Sequence, residues 1–174
     1  SGDYFSFNGG VLDAGDNSYT VAVVWNTDSA NTQVVWEQNA ATSSAGRRAA
    51  IIVWSVSGGY EFNDETNNFG NSLYSGGNTN VGLDTTNSRN IVTIAVHDGN
   101  EIILDDNGKK YSGTLSGVPD IGSEYTAIGR KVNNSEYLDG RVAELIIFDK
   151  ALTHDQSQVI QDYLMKKYSI EKSN

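Results

Sequence analysis

Three groups of residues in this sequence have types and spacings that suit chemistry: paired carboxylates, aromatics set among amides, and clusters of oxygen ligands. The carboxylates lie in Glu61-Phe62-Asn63-Asp64-Glu65. Alternate residues on a strand share a face, so Glu61 and Glu65 could act as the nucleophile and acid of a retaining hydrolysis. The position between them is Asn63 rather than a third acid, and Asn67 and Asn68 follow closely. Solvated acids on a polar strand are the simpler reading, and no catalytic residue is expected. His97 and His154 have no neighbours at zinc-ligand spacing. No nucleophile elbow, P-loop or dinucleotide fingerprint occurs.

The second group suits sugar recognition, in which an aromatic ring covers the apolar face of a pyranose and amides bond its hydroxyls. Tyr60, Phe69 and Tyr74 stand among turn residues, with Asn63, Asn67, Asn68 and Asn78 beside them. Packing is the competing reading for each ring; for the region as a whole, recognition stands level with it. Trp25 and Trp54 sit in β-branched runs and read as core. Trp36 shares its parity with Val34 and Gln38, which makes it a further platform candidate on an open face.

The third group is oxygen-rich: Asp64 with Glu65, Asp105 with Asp106, and Asp13 with Asp16. Hard oxygen ligands suit Ca2+, the one cofactor the sequence leaves open, although no spacing matches an EF-hand loop. Asp64, Glu65, Asp105 and Asp106 are the metal candidates, against a default of solvated turn carboxylates.

The elements that must position these groups are mostly strands. The chain has 174 residues, enough for one domain that buries roughly two thirds of its unfolded surface. It holds 18 Gly, 18 Asn, 18 Ser and 12 Thr but only 1 Pro, a composition of short strands joined by turns. Residues 19–25, 33–37, 49–56, 90–97, 101–104, 109–114, 125–129 and 142–148 read as strands, and 4–10 as an edge strand. Asp98-Gly99-Asn100 and Asp106-Asn107-Gly108 supply the positive φ angles of tight hairpins, so 90–114 reads as a meander. Residues 19–25 are apolar on both parities, which predicts that both faces are covered. In 90–97, Val92, Ile94 and Val96 form the expected core face, leaving His97 on the rim.

One helix follows. Thr153 and Gln156 have capping-box spacing. Val159, Ile160, Tyr163, Leu164 and Tyr168 form an apolar stripe, with Gln158, Gln161 and Asp162 facing away. Lys166 and Lys167 suit the helix dipole at its C-terminal end.

The formal charge is −10 and the cations are scattered, which disfavours nucleic acid and an anionic membrane surface. No apolar run approaches the ~20 residues of a membrane span. With 0 Cys there are no disulfides and no thiol chemistry. Ser1-Gly2 reads as a cloning remnant, so any targeting segment would belong to a longer chain.

The stretch from Tyr137 to Thr153, continuing through Tyr163-Leu164-Met165-Lys166-Lys167-Tyr168-Ser169-Ile170, resembles the end of a laminin-G-like, concanavalin-A-type jelly roll of bacterial or phage type. Ser169 stands where that family often has Gly. Tyr19 to Trp25, Ile102 to Lys109 and Ala127-Ile128-Gly129-Arg130 resemble its other strands. The resemblance implies an all-β, two-sheet antiparallel jelly-roll sandwich with one C-terminal helix, formed as a single domain over 1–174. Some sandwich glycosidases carry Glu-x-Asp-x-Glu on one strand, and Asn63 breaks that pattern here. Glu144, inside an apolar strand, needs a partner, and Arg130 or Arg141 is the expected one.

The function expected is non-catalytic recognition of carbohydrate or another ligand on a glycosylated cell surface, as an adhesin, fibre tip or carbohydrate-binding module. Its setting would be extracellular, on a cell or virion. The alternatives are a structural or oligomerisation module of a surface or phage fibre, trimeric if a fibre tip, and a glycoside hydrolase-like sandwich. Fold by itself does not choose among these.

Overall fold

The structure is a computed structural model that describes residues 3–15, 18–27, 29, 31–40, 48–54, 59–66, 69–74, 90–114 and 121–172. In chain order its elements are β1 (Phe5–Asn8), β2 (Tyr19–Thr27), β3 (Gln33–Asn39), β4 (Arg48–Trp54), β5 (Gly59–Thr66), β6 (Phe69–Tyr74), β7 (Ile91–Asp98), β8 (Glu101–Asp106), β9 (Lys109–Thr114), β10 (Tyr125–Ile128), β11 (Gly140–Phe148) and α1 (His154–Tyr168). Two antiparallel sheets result, one ordered β1-β10-β3-β4-β5-β6 and the other β11-β2-β7-β8-β9. With α1 added, this is the jelly-roll sandwich that the sequence implies.

Pairing follows the turn chemistry. Asn107 and Gly108 take φ values of 47° and 94° between β8 and β9, and Gly99 takes 60° between β7 and β8. The 90–114 meander forms as expected. Gly140 matters for another reason. A Cβ there would collide with the Asn26 carbonyl, so only glycine lets β11 start this close to β2.

Strands β2 and β7 of the five-stranded sheet are buried on both sides. Tyr19, Val21, Val23 and Trp25 of β2 enter the core between the sheets, while Ala22 and Val24 pack beneath α1. Strand β7 divides the same way, which corrects the expectation for His97. Val92, Ile94 and Val96 face the helix, and His97 is buried on the other side, its ring 4.8 Å from that of Tyr19. A parity argument that knows of one core assigns the polar side to solvent. Here a second apolar layer exists, so both parities are interior.

The capping box forms: Thr153 N–H donates to Gln156 Oε1, and Gln156 N–H to Thr153 Oγ1. The rotation of α1 differs from the predicted stripe. Leu164 and Met165 are buried with Gln161, while Val159 and Tyr163 are exposed. Gln161 is interior because its amide donates to the Asp105 carboxylate on β8. At the C-terminus Ser169 adopts left-handed φ 53° and ψ 46°, and Ile170 N–H donates to Met165 O at 2.9 Å. That is a Schellman closure with Ile170 tucked into the helix-side cluster.

Glu144 also finds a different partner. A bulge between Val142 and Glu144 turns the carboxylate toward α1, where Lys167 Nζ lies at 2.8 Å and Tyr168 Oη at 3.0 Å. Neither Arg130 nor Arg141 is involved.

Candidate functional site

The residues predicted from sequence divide into three sets. Tyr60, Asn63, Phe69 and Tyr74 fall on adjacent strands at one edge of the six-stranded sheet. Register places Tyr60 opposite Val53, Asn63 between Ala50 and Ser72, Phe69 opposite Thr66, and Tyr74 opposite Glu61. The hairpin thus brings Glu61 and Tyr74 side by side. Asp64 pairs with Ala49 and Asn71, and Glu65 with Arg48 and Gly70. Asn67, Asn68 and Asn78 lie outside the described residues.

Trp36 is a correction. It is fully buried in the core between the sheets, with Ala49, Ile51 and Val35, and cannot serve as an exposed platform. The register shifts between Val34 and Trp36, where a bulge places the extra residue Val35. Val34 therefore joins Ala50 and Ile52 in a separate small cluster, while Trp36 turns inward. One bulge residue reverses an alternation. Gln38, on the presumed open face, is buried too, bonded to Leu12 and Gly122 backbone atoms.

Asp105 and Asp106 are a second correction. Their neighbours Leu104 and Ile103 belong to opposite layers, and so do they. Asp105 meets Gly108 N–H and the Gln161 amide on the helix side. Asp106 points into the core, where Trp25 Nε1 donates to Thr93 Oγ1 at 2.9 Å and Thr93 Oγ1 donates to Asp106 Oδ1 at 3.2 Å. Burial pushes the Asp106 carboxyl well above the usual range, opposed by the Lys109 charge. Adjacent residues on a strand cannot converge on one ion. Among the described residues no group of three or more His, Asp and Glu side chains is arranged to hold a metal.

A different site emerges at the opposite edge of the six-stranded sheet. Strand β1 is the edge strand and pairs only with β10. Around it Tyr4, Phe5 and Tyr137 are 51%, 61% and 41% exposed, although each is a large aromatic. The Tyr4 and Tyr137 rings are 6.0 Å apart and inclined at 56°. Beneath them Arg130 is 3% exposed, its guanidinium carbon 4.1 Å from the centre of the Tyr4 ring.

Backbone geometry holds these groups. Gly129 takes φ 79°, the Asp3 carbonyl crosses close over it, and its N–H donates to Val35 O at 2.9 Å. The chain then loops through 131–138. Asn134 and Glu136 occupy left-handed φ of 65° and 50°, and Lys131 N–H donates to Ser135 O. Val132 N–H donates to the buried Glu37 carboxylate at 3.0 Å, and Lys131 Nζ pairs with Glu136 at 2.8 Å. Leu138 then anchors in the core, with its N–H donating to Gly129 O. Two non-glycine residues in the left-handed region cost of order 1–3 kcal/mol each and persist only where surroundings fix them. Tyr137 is therefore presented by a tightly determined loop.

The Arg130 side chain is partly satisfied. Nη2 donates to Ser6 Oγ and to Tyr125 Oη, both at 3.0 Å, and Tyr125 Oη lies 3.3 Å from Ser6 Oγ. Nε and Nη1 are buried and have no hydrogen-bond partner among the described residues. No local pattern marks this cluster as a whole, because its members lie far apart in the chain. Its signal was present in the run Tyr4-Phe5-Ser6-Phe7 on an edge strand and in Tyr137 beside a polar turn.

No family profile matches the sequence, and no curated protein matches it. Solved structures do. A Ruminococcus gnavus IT-sialidase CBM40 superposes with a TM-score of 0.67 at 13% identity, covering 92% of this chain and 97% of that one. A heptameric SAP-like pentraxin from Limulus polyphemus gives 0.64 at 15%, covering 90% and 74%. A botulinum neurotoxin serotype D binding domain gives 0.66 at 16%, covering 95% of this chain but 41% of its own length. The likeness is one of fold. It establishes a jelly-roll β-sandwich and nothing narrower.

Proposed function

We propose that this chain is a non-catalytic recognition domain that binds carbohydrate on a glycosylated surface, within the laminin-G-like, concanavalin-A-type group that its C-terminal segment resembles. The observation that carries this reading is the half-exposed Tyr137 on a conformationally fixed loop at the β1 edge, with the Tyr4 ring beside it over Arg130. Exposed aromatics on a rigid frame offer apolar area at low ordering cost, which suits a sugar ring. Among the structural neighbours, one carbohydrate-binding module is bound to alpha2,3 sialyllactose and another structure of it to alpha2,6 sialyllactose, which supports the same reading. The place of action is an extracellular cell or virion surface, as an adhesin, a fibre tip or a binding module of a larger protein.

A glycan array on the folded chain, run with and without added calcium, tests this. Retention of a defined set of glycans is expected, and its loss in Tyr137→Ala places the site at the β1 edge. No bound glycan on a folded protein overturns it. The array's calcium series also tests Asp64 or Glu65, singly, as an ion ligand.

A second reading is an assembly module. It draws on the exposed Val159 and Tyr163 of α1, which leave an apolar strip close to the open edge strand β11. Light scattering that gives a stable trimer would favour it, and a monomer would end it.

A further inference from the structure

The carbohydrate reading leaves the character of the sugar open, and Arg130 narrows it. A guanidinium is always charged and carries five N–H groups in a planar fork. Burial of such a charge is costly unless an acceptor set surrounds it. Arg130 spends only Nη2, on two neutral hydroxyls, and makes one stacking contact with Tyr4. Among the described residues no carboxylate pairs with it. Two acids of the same region are engaged elsewhere: Glu37 with Val132 N–H and Asn39, and Glu136 with Lys131. The N–H of Nε and both of Nη1 remain without acceptors among the described residues.

What covers the guanidinium is the ring of Tyr4. Tyr4 precedes β1, is half exposed and lies over the fork without a hydrogen bond of its own to Arg130. Ser6 and Tyr125, by contrast, are fixed by β1–β10 pairing and hold Nη2 in place. The Nη2 end of the fork is thus preorganised, and the Tyr4 ring lies over the face of the guanidinium.

We propose that Arg130 is the seat for a carboxylate carried by the bound sugar, with Tyr4 swinging aside to admit it, so that the ligands are acidic glycans. This rests on the carbohydrate reading and adds the charge class. The carboxylate would accept from one open edge of the fork, either Nε–H or Nη1, in a charge-assisted contact while Tyr137 supports the ring. A net charge of −10 makes general attraction of anions unfavourable, so acid selectivity would report a local site.

The test compares the methyl glycosides of N-acetylneuraminic, glucuronic and galacturonic acid with their methyl esters, which keep the shape and remove the charge. Binding to the whole chain is measured by calorimetry, and the Arg130 Nε–H resonance is followed by NMR after assignment with Arg130→Lys. At least one acid is expected to bind tenfold or more tighter than its ester, to move that resonance, and to lose its advantage in Arg130→Gln. Equal binding of acid and ester would overturn the carboxylate seat and leave sugar recognition standing. Acid selectivity with an unmoved Arg130 resonance would also overturn it. If neither acids nor esters bind, and the array is blank as well, both readings fall. The resonance is read on the unaltered protein, so a folding defect in Arg130→Gln does not obscure the result.

Discussion

Lys167 Nζ lies 2.8 Å from Oε2 of Glu144, joining the last turn of α1 to the bulged edge strand β11. The Lys167 hydrogen bond holds the Glu144 carboxyl below the usual range, with Tyr168 adding to it, and Glu144 in turn raises the ammonium of Lys167. Both side chains are partly open to solvent, so the pair is screened and modest. A carboxyl whose folded value is depressed stabilises above its unfolded value and loses that contribution as pH falls through the folded one. Glu144→Gln should lower Tm slightly at neutral pH and low salt. The difference should vanish in 1 M salt, where the Debye length is about 3 Å, and as pH falls through the lowered Glu144 carboxyl. Thermal melts across salt and pH check it.

Asp106 titrates in the opposite sense. Burial raises its carboxyl, so the folded state holds a proton that the unfolded chain has released above pH ~4. Stability should fall as pH rises from there, by up to about 1.4 kcal/mol per pH unit, until the folded carboxyl itself ionises. Asp106→Asn keeps an acceptor for Thr93 and removes the titration. It should flatten the slope between pH 4 and 7 and raise stability at pH 7, as urea titrations at several pH values would show.

Trp36 belongs to the core. Trp36→Ala should cost about 3–5 kcal/mol, a value that an exposed platform residue would not approach. Its indole N–H is buried without an acceptor, so Trp36→Phe, which removes that donor, should cost much less. Denaturant unfolding of the two variants separates the cases.

Ser169 closes α1 in a left-handed conformation that costs an L residue about 1–2 kcal/mol relative to glycine. Ser169→Gly should raise stability by about 0.5–1 kcal/mol once the extra freedom of unfolded glycine is set against it. A Tm rise of roughly 2–4 °C would accompany the upper value.

Tyr137 is half exposed on a loop that is anchored through Val132 and Leu138. Tyr137→Ala should leave Tm almost unchanged and weaken glycan binding by about tenfold, ~1.4 kcal/mol. Calorimetry on any glycan identified by the array measures this directly.

The strands and their turns were legible because they depend on near neighbours. Asn107-Gly108 and Asp98-Gly99 dictate hairpins, and Thr153 with Gln156 dictates a helix start, through backbone preferences and bonds that span a few residues. The jelly-roll architecture was implied by the resemblance of the last segment, its glycine, strand and helix, to the laminin-G-like group. Faces were less legible. Val34 to Trp36 and Val142 to Glu144 each carry a bulge, and one inserted residue moves every following side chain to the other side. Alternation in the sequence cannot register that insertion.

The sequence by itself determined an acidic, cysteine-free, turn-rich sandwich closed by a capped helix. Only the tertiary structure decided which faces are covered and what stands at the open edges. Helix α1 supplies a second apolar layer that takes Val92, Ile94 and Val96, which leaves His97 and Asp106 to the inner core. Pairing of β1 with β10 brings Tyr4 and Ser6 to Tyr125 and Arg130, more than a hundred residues along the chain, and the 131–138 loop adds Tyr137. Contacts at that separation come from sheet pairing, and no local pattern encodes which rings will meet over which charge.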